Sequence, residues 1–386
     1  MDECPVIAEL TAEELCREIR QGEPLFILDV RNEEEFSQWR IEGVQSEGQL
    51  NIPYFEFLED EAGCVAKVPH GRLITVVCAK GGSSAFVAGL LSQHGMQARN
   101  LQGGMIAWGN LQVATAVASP QGDGLGLMQV NRIGKRCLSY VIARDGEAMV
   151  VDASRHIEWY VTLLQRQQAS VTRVIDTHLH ADHLSGGPAL ARRFGAPYHI
   201  CLDDAAGATY AFVSLEDGAR FRLGSSVVEI IALHTPGHTP GSTSLLIDER
   251  YFLTGDTLFV NSIGRPDLGH KAEEWARLLY HTLFERMATL PEEVIILPAH
   301  YASVGEMRRD GIIGTTLGEA RAHNPAFQMR TEGEFLEYVL QHLPPQPPIY
   351  QEIRRANLGQ VVLGEERALE AELGPNQCAA ALPPRG

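Results

Sequence analysis

At 386 residues, with 45% hydrophobic and 21% charged side chains, the chain has the composition of an ordinary soluble globular protein and room for two or three domains with their own cores. Its 32 basic against 49 acidic residues give a formal charge of -17, which argues against nucleic acid or an anionic membrane as the main partner. No apolar run is long enough to span a bilayer, and seven cysteines, an odd number without framework spacing, speak for reduced thiols and against a disulfide scaffold.

The opening "MDECPVIAEL" lacks a basic region followed by an apolar stretch, so no secretory signal is expected and a cytoplasmic location is the default. Short apolar strands then alternate with helical patterns: "LFILDV", "NEEEFSQWR", "LITVVC" and "SSAFVAGLLSQHG". The alternation predicts a small open α/β domain with a parallel sheet over residues 1–111. Small residues dominate "VATAVASPQGDGLG", and a linker is expected over 112–126. From Leu127 the pattern turns hairpin-like in "CLSYVIARDGEAMVVDAS", where "DG" is a turn signal between apolar runs. Helical and strand-like segments follow, among them "VTRVID", "STSLLID", "RYFLTGD" and "EVIILPAH". They predict one mixed-sheet domain with outer helices over 127–350, then a C-terminal extension, 351–386, whose last residues are expected to be mobile.

The densest chemistry lies in "THLHADHLSGG", directly after the strand-like "VTRVID". Neutral imidazole is a common metal ligand, and a buried histidine needs partners for both ring nitrogens, so such clustering would be costly without a metal. The plain alternative is a solvated polar loop. His178 and His180, two apart on extended backbone, can reach one centre, while Asp182 and His183 can point to a second beside it. His238 sits in "HTPGHTPGS", Asp256 ends "YFLTGD" and His300 ends "EVIILPAH". Each stands where a strand stops and a loop begins, the place from which a rigid sheet aims several ligands at one spot.

Taken in order, "THLHADH", "TPGHT", "TGD" and "PAH" resemble the metallo-β-lactamase superfamily over roughly residues 127 to 350. The resemblance implies an αββα sandwich with the metal at the sheet edge. In two-zinc members, His178, His180, His238 and Asp256 would hold one ion, and Asp182, His183, His300 and a bridging Asp256 the other. Two branches fit. Hydroxyacylglutathione hydrolases use two zincs to activate a hydroxide against a thioester. Persulfide dioxygenases use one Fe(II) on two histidines and one carboxylate, which map to His178, His238 and Asp256, leaving open positions for a persulfide sulfur and O2. The other histidines then lie around the ligands.

The segment "TGDTLFVNSIGRPDL" resembles the "GR-x-D" loop of persulfide dioxygenases, and Arg265 in it is the candidate for gripping a carboxylate of a glutathione-like thiol, or else a structural salt bridge. Many glutathione-using relatives carry an acidic residue after the "PAH" histidine, whereas this chain reads "PAHYAS", which leaves the thiol carrier open.

Cys78 ends "LITVVC" and opens "CAKGGSSAF", at the start of a helical run, within a nest of backbone N–H groups and close to Lys80. These features favour thiolate over thiol and would stabilise a persulfide; a merely buried strand cysteine would be inert. With "LDVRNEEEF", "NIPY" and "LQGGMIAW", the loop resembles the rhodanese family over residues 5 to 111. That implies sulfur transfer through Cys78, cradled by Ala79, Lys80, Gly81, Gly82, Ser83 and Ser84. Rhodanese-like phosphatases carry arginine where Ser84 stands, which disfavours phosphate chemistry. Cys4, Cys16, Cys64, Cys137, Cys201 and Cys378 carry no motif and are read as structural or incidental.

The combined expectation is a persulfide dioxygenase fused to a rhodanese. It would oxidise a small thiol persulfide with O2 to sulfite and thiol, and move sulfane sulfur between persulfide and thiosulfate in a direction the residues do not fix. The alternatives are a two-zinc thioesterase with an accessory rhodanese, and a non-catalytic sulfur carrier. Relatives often dimerise, but the sequence shows no interface signature.

Overall fold

The computed structural model describes residues 7–43, 48–118, 124–224, 228–269, 271–341 and 343–380. Cys4 and the terminal stretch 381–386, where mobility was expected, lie outside these residues. The chain forms two compact units: Met1–Leu111 with Arg132–Lys135 and Leu373–Pro375, and Gln112–Asn131 with Arg136–Glu372 and Asn376–Gly386.

The first unit is built on five parallel strands in the spatial order Ala8–Leu10, Ala98–Leu101, Ile74–Val77, Phe26–Asp29 and Gln49–Asn51. Phe26–Asp29 and Ile74–Val77 are buried at every position, as parallel strands covered on both faces must be. Val76 and Leu28 pack with Val87 and Leu91 of the helix Gly82–Gln93, so the strand that ends before Cys78 and the helix that follows it share one core.

Two sheets face each other in the second unit. One orders Val213–Ser214, Tyr198–Ile200, Ser170–Ile175, Glu147–Val151, Cys137–Arg144, Gly126–Arg132 and Gln112–Ala116; the other orders Arg220–Leu223, Val228–His234, Thr243–Ile247, Tyr251–Gly255, Ile295–Pro298 and Thr315–Thr316. Alternation along each strand makes the layers. Leu138, Tyr140 and Ile142 meet Ile230, Leu245 and Leu253 between the sheets, while Val141 faces Tyr160 and Leu164 of the helix Ile157–Arg166. On the far side Phe252 and Ile296 pack on Ala276 and Leu279 of the helix Ala272–His281. The expected parallel-sheet domain and αββα sandwich are both present.

One expectation needs correction. Part of the stretch read as a linker, Gln112–Ala116, is an edge strand of the seven-stranded sheet. Its small residues suit a half-buried edge as well as they suit a linker, so composition misled. Among the described residues no helix is long and apolar enough to cross a membrane.

Candidate metal centre and sulfur site

The strand Ser170–Ile175 delivers Asp176 to His183 at its end, and the turns after His234, Gly255 and Pro298 deliver His238, Asp256 and His300 to the same place. His178, His180, Asp182, His183, His238, Asp256 and His300 are each at most 3% exposed.

Two neighbouring donor sets result. Ligand atoms of His178, His238 and Asp256 lie within 4.8 Å of one another, and those of Cys137, Asp182, His183 and His300 do likewise. Asp256 spans the two: its Oδ2 is 3.6 Å from His178 Nε2 and 3.4 Å from His238 Nε2, and its Oδ1 is 3.3 Å from His300 Nε2. His180, which the two-zinc pattern would set beside His178 and the one-iron pattern around the ligands, falls into a set with Asp152 and Asp176, its Nε2 3.2 Å from Asp152 Oδ1.

The tautomers are fixed from behind. His238 Nδ1 donates to Arg265 O at 2.9 Å and His300 Nδ1 to Arg136 O at 3.2 Å. Thr177 Oγ1 gives its proton to Asp152, so its oxygen is left to accept from His178 Nδ1 at 3.0 Å. Every one of these rings therefore turns its Nε2 lone pair inward, the arrangement by which metal-binding histidines are held. His178 Nε2, His238 Nε2, His300 Nε2 and both oxygens of Asp256 have no hydrogen-bond partner despite burial. Unpaired buried polar atoms are costly, and five of them gathered in the two adjoining donor sets are the residues' own case for a cation. A two-histidine, one-carboxylate set fits a divalent metal such as Fe(II).

Electrostatics agree. Burial, with the neighbouring His180, pushes His178 well below the ordinary imidazole range, and burial likewise lowers His238, so both offer lone pairs. Burial opposes ionisation of Asp256, but the field of the adjacent His300 outweighs it and holds the carboxyl below its usual range.

Arg265 requires a correction. It is 0% exposed, and its fork is spent on Asp267, at 2.7 and 2.8 Å, and on the carbonyls of Pro344 and Gln377, at 2.6 and 3.2 Å. A guanidinium so enclosed presents no exposed edge to a ligand carboxylate. Its part in the site is indirect, through the carbonyl that orients His238.

Three positioning residues carry no motif. Asp204 accepts from Leu179 N at 2.8 Å, Thr239 Oγ1 at 2.6 Å and Gly241 N at 2.8 Å, clamping the "THLHADH" loop to the "TPGHT" turn. Asn357 donates to the carbonyls of His180 and His183, both at 2.9 Å, and Glu372 accepts from Leu184 N at 2.8 Å. The latter two lie in the stretch read as an extension. Cys137 and Cys378, read as incidental, also lie among the donors, Cys378 beside Asp256 and His300.

A cavity of about 870 Å³ opens on His300 and is lined by Phe259, Asn261, Tyr301, Asn376 and Gln377.

In the first unit Cys78 Sγ accepts from Gly81 N and from Ser84 Oγ, both at 3.1 Å. Ser84 is fully buried, Lys80 exposed, and Ala79, Lys80, Gly82 and Ser83 line a cavity of about 380 Å³ with Cys78, Tyr54 and Phe55. The cradle depends on glycine. Gly81 sits at φ +96°, and a Cβ on Gly104, at φ +57°, would lie 2.2 Å from the Cys78 carbonyl oxygen.

Comparison with known proteins gives matching results. The profile of the metallo-beta-lactamase superfamily matches residues 132–300 and that of the rhodanese-like domain residues 11–111. The mitochondrial persulfide dioxygenase ETHE1 of Homo sapiens is 34% identical over 166 residues, 43% of this chain and 59% of the human protein, so the match spans about three fifths of that relative. The uncharacterized protein ML0493 of Mycobacterium leprae is 32% identical over 218 residues, covering 49% of this chain and 93% of its own. The crystal structure of ETHE1 from Myxococcus xanthus superposes with a TM-score of 0.53 at 27% identity, covering 61% of this chain and 98% of that one.

Proposed function

From a chain that belongs to the metallo-β-lactamase superfamily and carries a rhodanese-like domain ahead of that fold, we propose a persulfide dioxygenase coupled to a sulfurtransferase. The observation that carries the reading is the pair of inward imidazoles and the carboxylate, His178, His238 and Asp256, with their metal-facing atoms unpaired. Identity to persulfide dioxygenases over this domain supports it. Fe(II), one per chain, would be held by these three residues and would supply open coordination positions and an electron source for O2 chemistry.

The remaining work falls to the protein. The cavity beside His300 is of a size that would accommodate a small thiol carrier, and its mixed lining would orient it. The reaction balances as RSSH + O2 + H2O giving RSH, sulfite and two protons. At Cys78, the Gly81 N–H and Ser84 O–H would steady the anionic sulfur as thiolate and as persulfide. There, thiosulfate and thiol exchange with persulfide and sulfite, one S–S bond breaking as another forms.

The second donor set keeps the two-zinc thioesterase reading in competition. The discriminating experiment offers both substrates to both metal forms. Consumption of glutathione persulfide by the ferrous form alone, with no thioester hydrolysis by the zinc form, is expected; zinc-dependent hydrolysis of a glutathione thioester without persulfide consumption would reverse the assignment.

A further inference from the structure

We propose that the cavity over Cys78 takes a zwitterionic aminothiol of the cysteine class as its sulfur acceptor, with the ammonium held by Glu35 and the carboxylate by Lys80. The inference deepens the sulfurtransferase half of the proposed function and rests on it; the metal centre plays no part in it.

The charges lining the cavity carry the assignment. Beside Cys78 and its loop, the wall holds Arg31, Asn32, Glu35, Tyr54, Phe55 and Lys80. Arg31 is already spent: it is buried, and its fork grips Asp29 at 3.0 and 2.6 Å. One anion and one cation remain. Glu35 is exposed yet fixed in place, since Asn32 Nδ2 donates to Glu35 Oε2 at 2.6 Å and Glu35 N donates back to Asn32 Oδ1 at 2.8 Å. A carboxylate accepts several hydrogen bonds, so this one keeps capacity for an ammonium. Lys80 is exposed and has no ion-pair partner among the described residues.

One acid, one base and one reactive sulfur match a ligand with an ammonium, a carboxylate and a sulfhydryl. A dianion would gain Lys80 but meet Glu35, and an uncharged thiol would leave both charges unanswered. The rings of Tyr54 and Phe55, 43% and 46% exposed, offer apolar cover to the methylene groups between. A volume of about 380 Å³ suits so small a molecule.

The transfer balances without an oxidant. Thiosulfate gives its sulfane sulfur to the Cys78 thiolate and leaves as sulfite. The acceptor loses its thiol proton to solvent, and its thiolate attacks the outer sulfur of the Cys78 persulfide. One S–S bond forms as the other breaks, its electron pair returning to Cys78 Sγ. The product, an aminothiol persulfide, is an RSSH of the kind the metal centre would consume.

Single turnovers of the full-length protein test this. Cys78 is loaded from thiosulfate or glutathione persulfide, and the added sulfur is read by mass spectrometry with Cys78→Ser as the blank. The acceptors are L-cysteine, cysteamine, which lacks the carboxylate, and 3-mercaptopropionate, which lacks the ammonium. Each selectivity is taken relative to the parent, so differences in thiol acidity cancel. Glu35→Gln should lower the preference for L-cysteine over 3-mercaptopropionate about three- to tenfold, as the loss of one polar contact predicts. Lys80→Gln should lower the preference for L-cysteine over cysteamine by a similar factor. A uniform loss across the three acceptors, or selectivities equal to the parent's, would overturn the proposal while the sulfurtransferase assignment stood. No sulfur on Cys78 in the parent would overturn both.

Discussion

Replacing Arg265 should damage the fold and leave carrier recognition alone. The guanidinium is 0% exposed and makes two short bonds to Asp267 and two more to the carbonyls of Pro344 and Gln377. Arg265→Ala would strand the carboxylate of Asp267, which is 21% exposed, and unpair both carbonyls. Breaking a buried ion pair from one side costs about 3 to 5 kcal/mol, a large share of a stability on the order of 5 to 15 kcal/mol. Arg265→Lys keeps the charge but loses the planar fork, and with it one or two hydrogen bonds worth about 1 to 3 kcal/mol when left unmade. Urea unfolding gives the stability, and a double-mutant cycle with Asp267→Asn should return a coupling of roughly 0.5 to 3 kcal/mol. KM for glutathione persulfide, measured on Arg265→Lys, should stay within a factor of about two, since about 0.4 kcal/mol corresponds to such a factor. A tenfold rise in KM with stability unchanged would refute the structural role and restore Arg265 as a ligand contact.

Other expectations follow from the same contacts. A Cβ on Gly264 would lie 1.8 Å from the Asp256 carbonyl oxygen and 3.0 Å from His238 Cβ, so Gly264→Ala should abolish metal retention, read by elemental analysis, and lower stability by about 1 to 3 kcal/mol or more. Ser84→Ala removes one of two donors to Cys78 Sγ; a bond to a charged group is worth about 1.5 to 3 kcal/mol, so thiosulfate sulfurtransfer should fall roughly ten- to a hundredfold with metal content unchanged. Metal removal leaves the buried donors unpaired, so the thermal midpoint of the apoprotein should rise on adding Fe(II), by about 2.7 kcal/mol of stability at a hundredfold excess over Kd. A flat midpoint would count against the metal centre.

Much of the site was legible because the chemistry sits in short runs at strand ends. "THLHADH" and "PAH" follow apolar stretches whose period already marks them as strands, and the sandwich then brings those ends together. The long-range contacts were not legible. Nothing in "LDDAAG" marks Asp204 as the clamp between two ligand loops, and Asn357 and Glu372 reach the metal loop from more than 170 residues away in sequence. Cys137 opens a strand that reads as ordinary core, and only the pairing of the sheet sets its sulfur 3.2 Å from Asp182. Arg265 misled because an arginine in a loop pattern reads the same whether its fork faces a ligand or the chain's own carbonyls. Asp267, two residues on, was the available signal for the second case.

Oxygen uptake by the ferrous-reconstituted protein supplied with glutathione persulfide is the most direct test of the assignment, with a zinc-loaded sample and the His238→Ala variant alongside. The expected result is rapid uptake with one sulfite formed per O2 consumed, absent from both controls. Uptake that persists in His238→Ala, or none in the ferrous parent across several thiol persulfides, would contradict an iron centre on His178, His238 and Asp256.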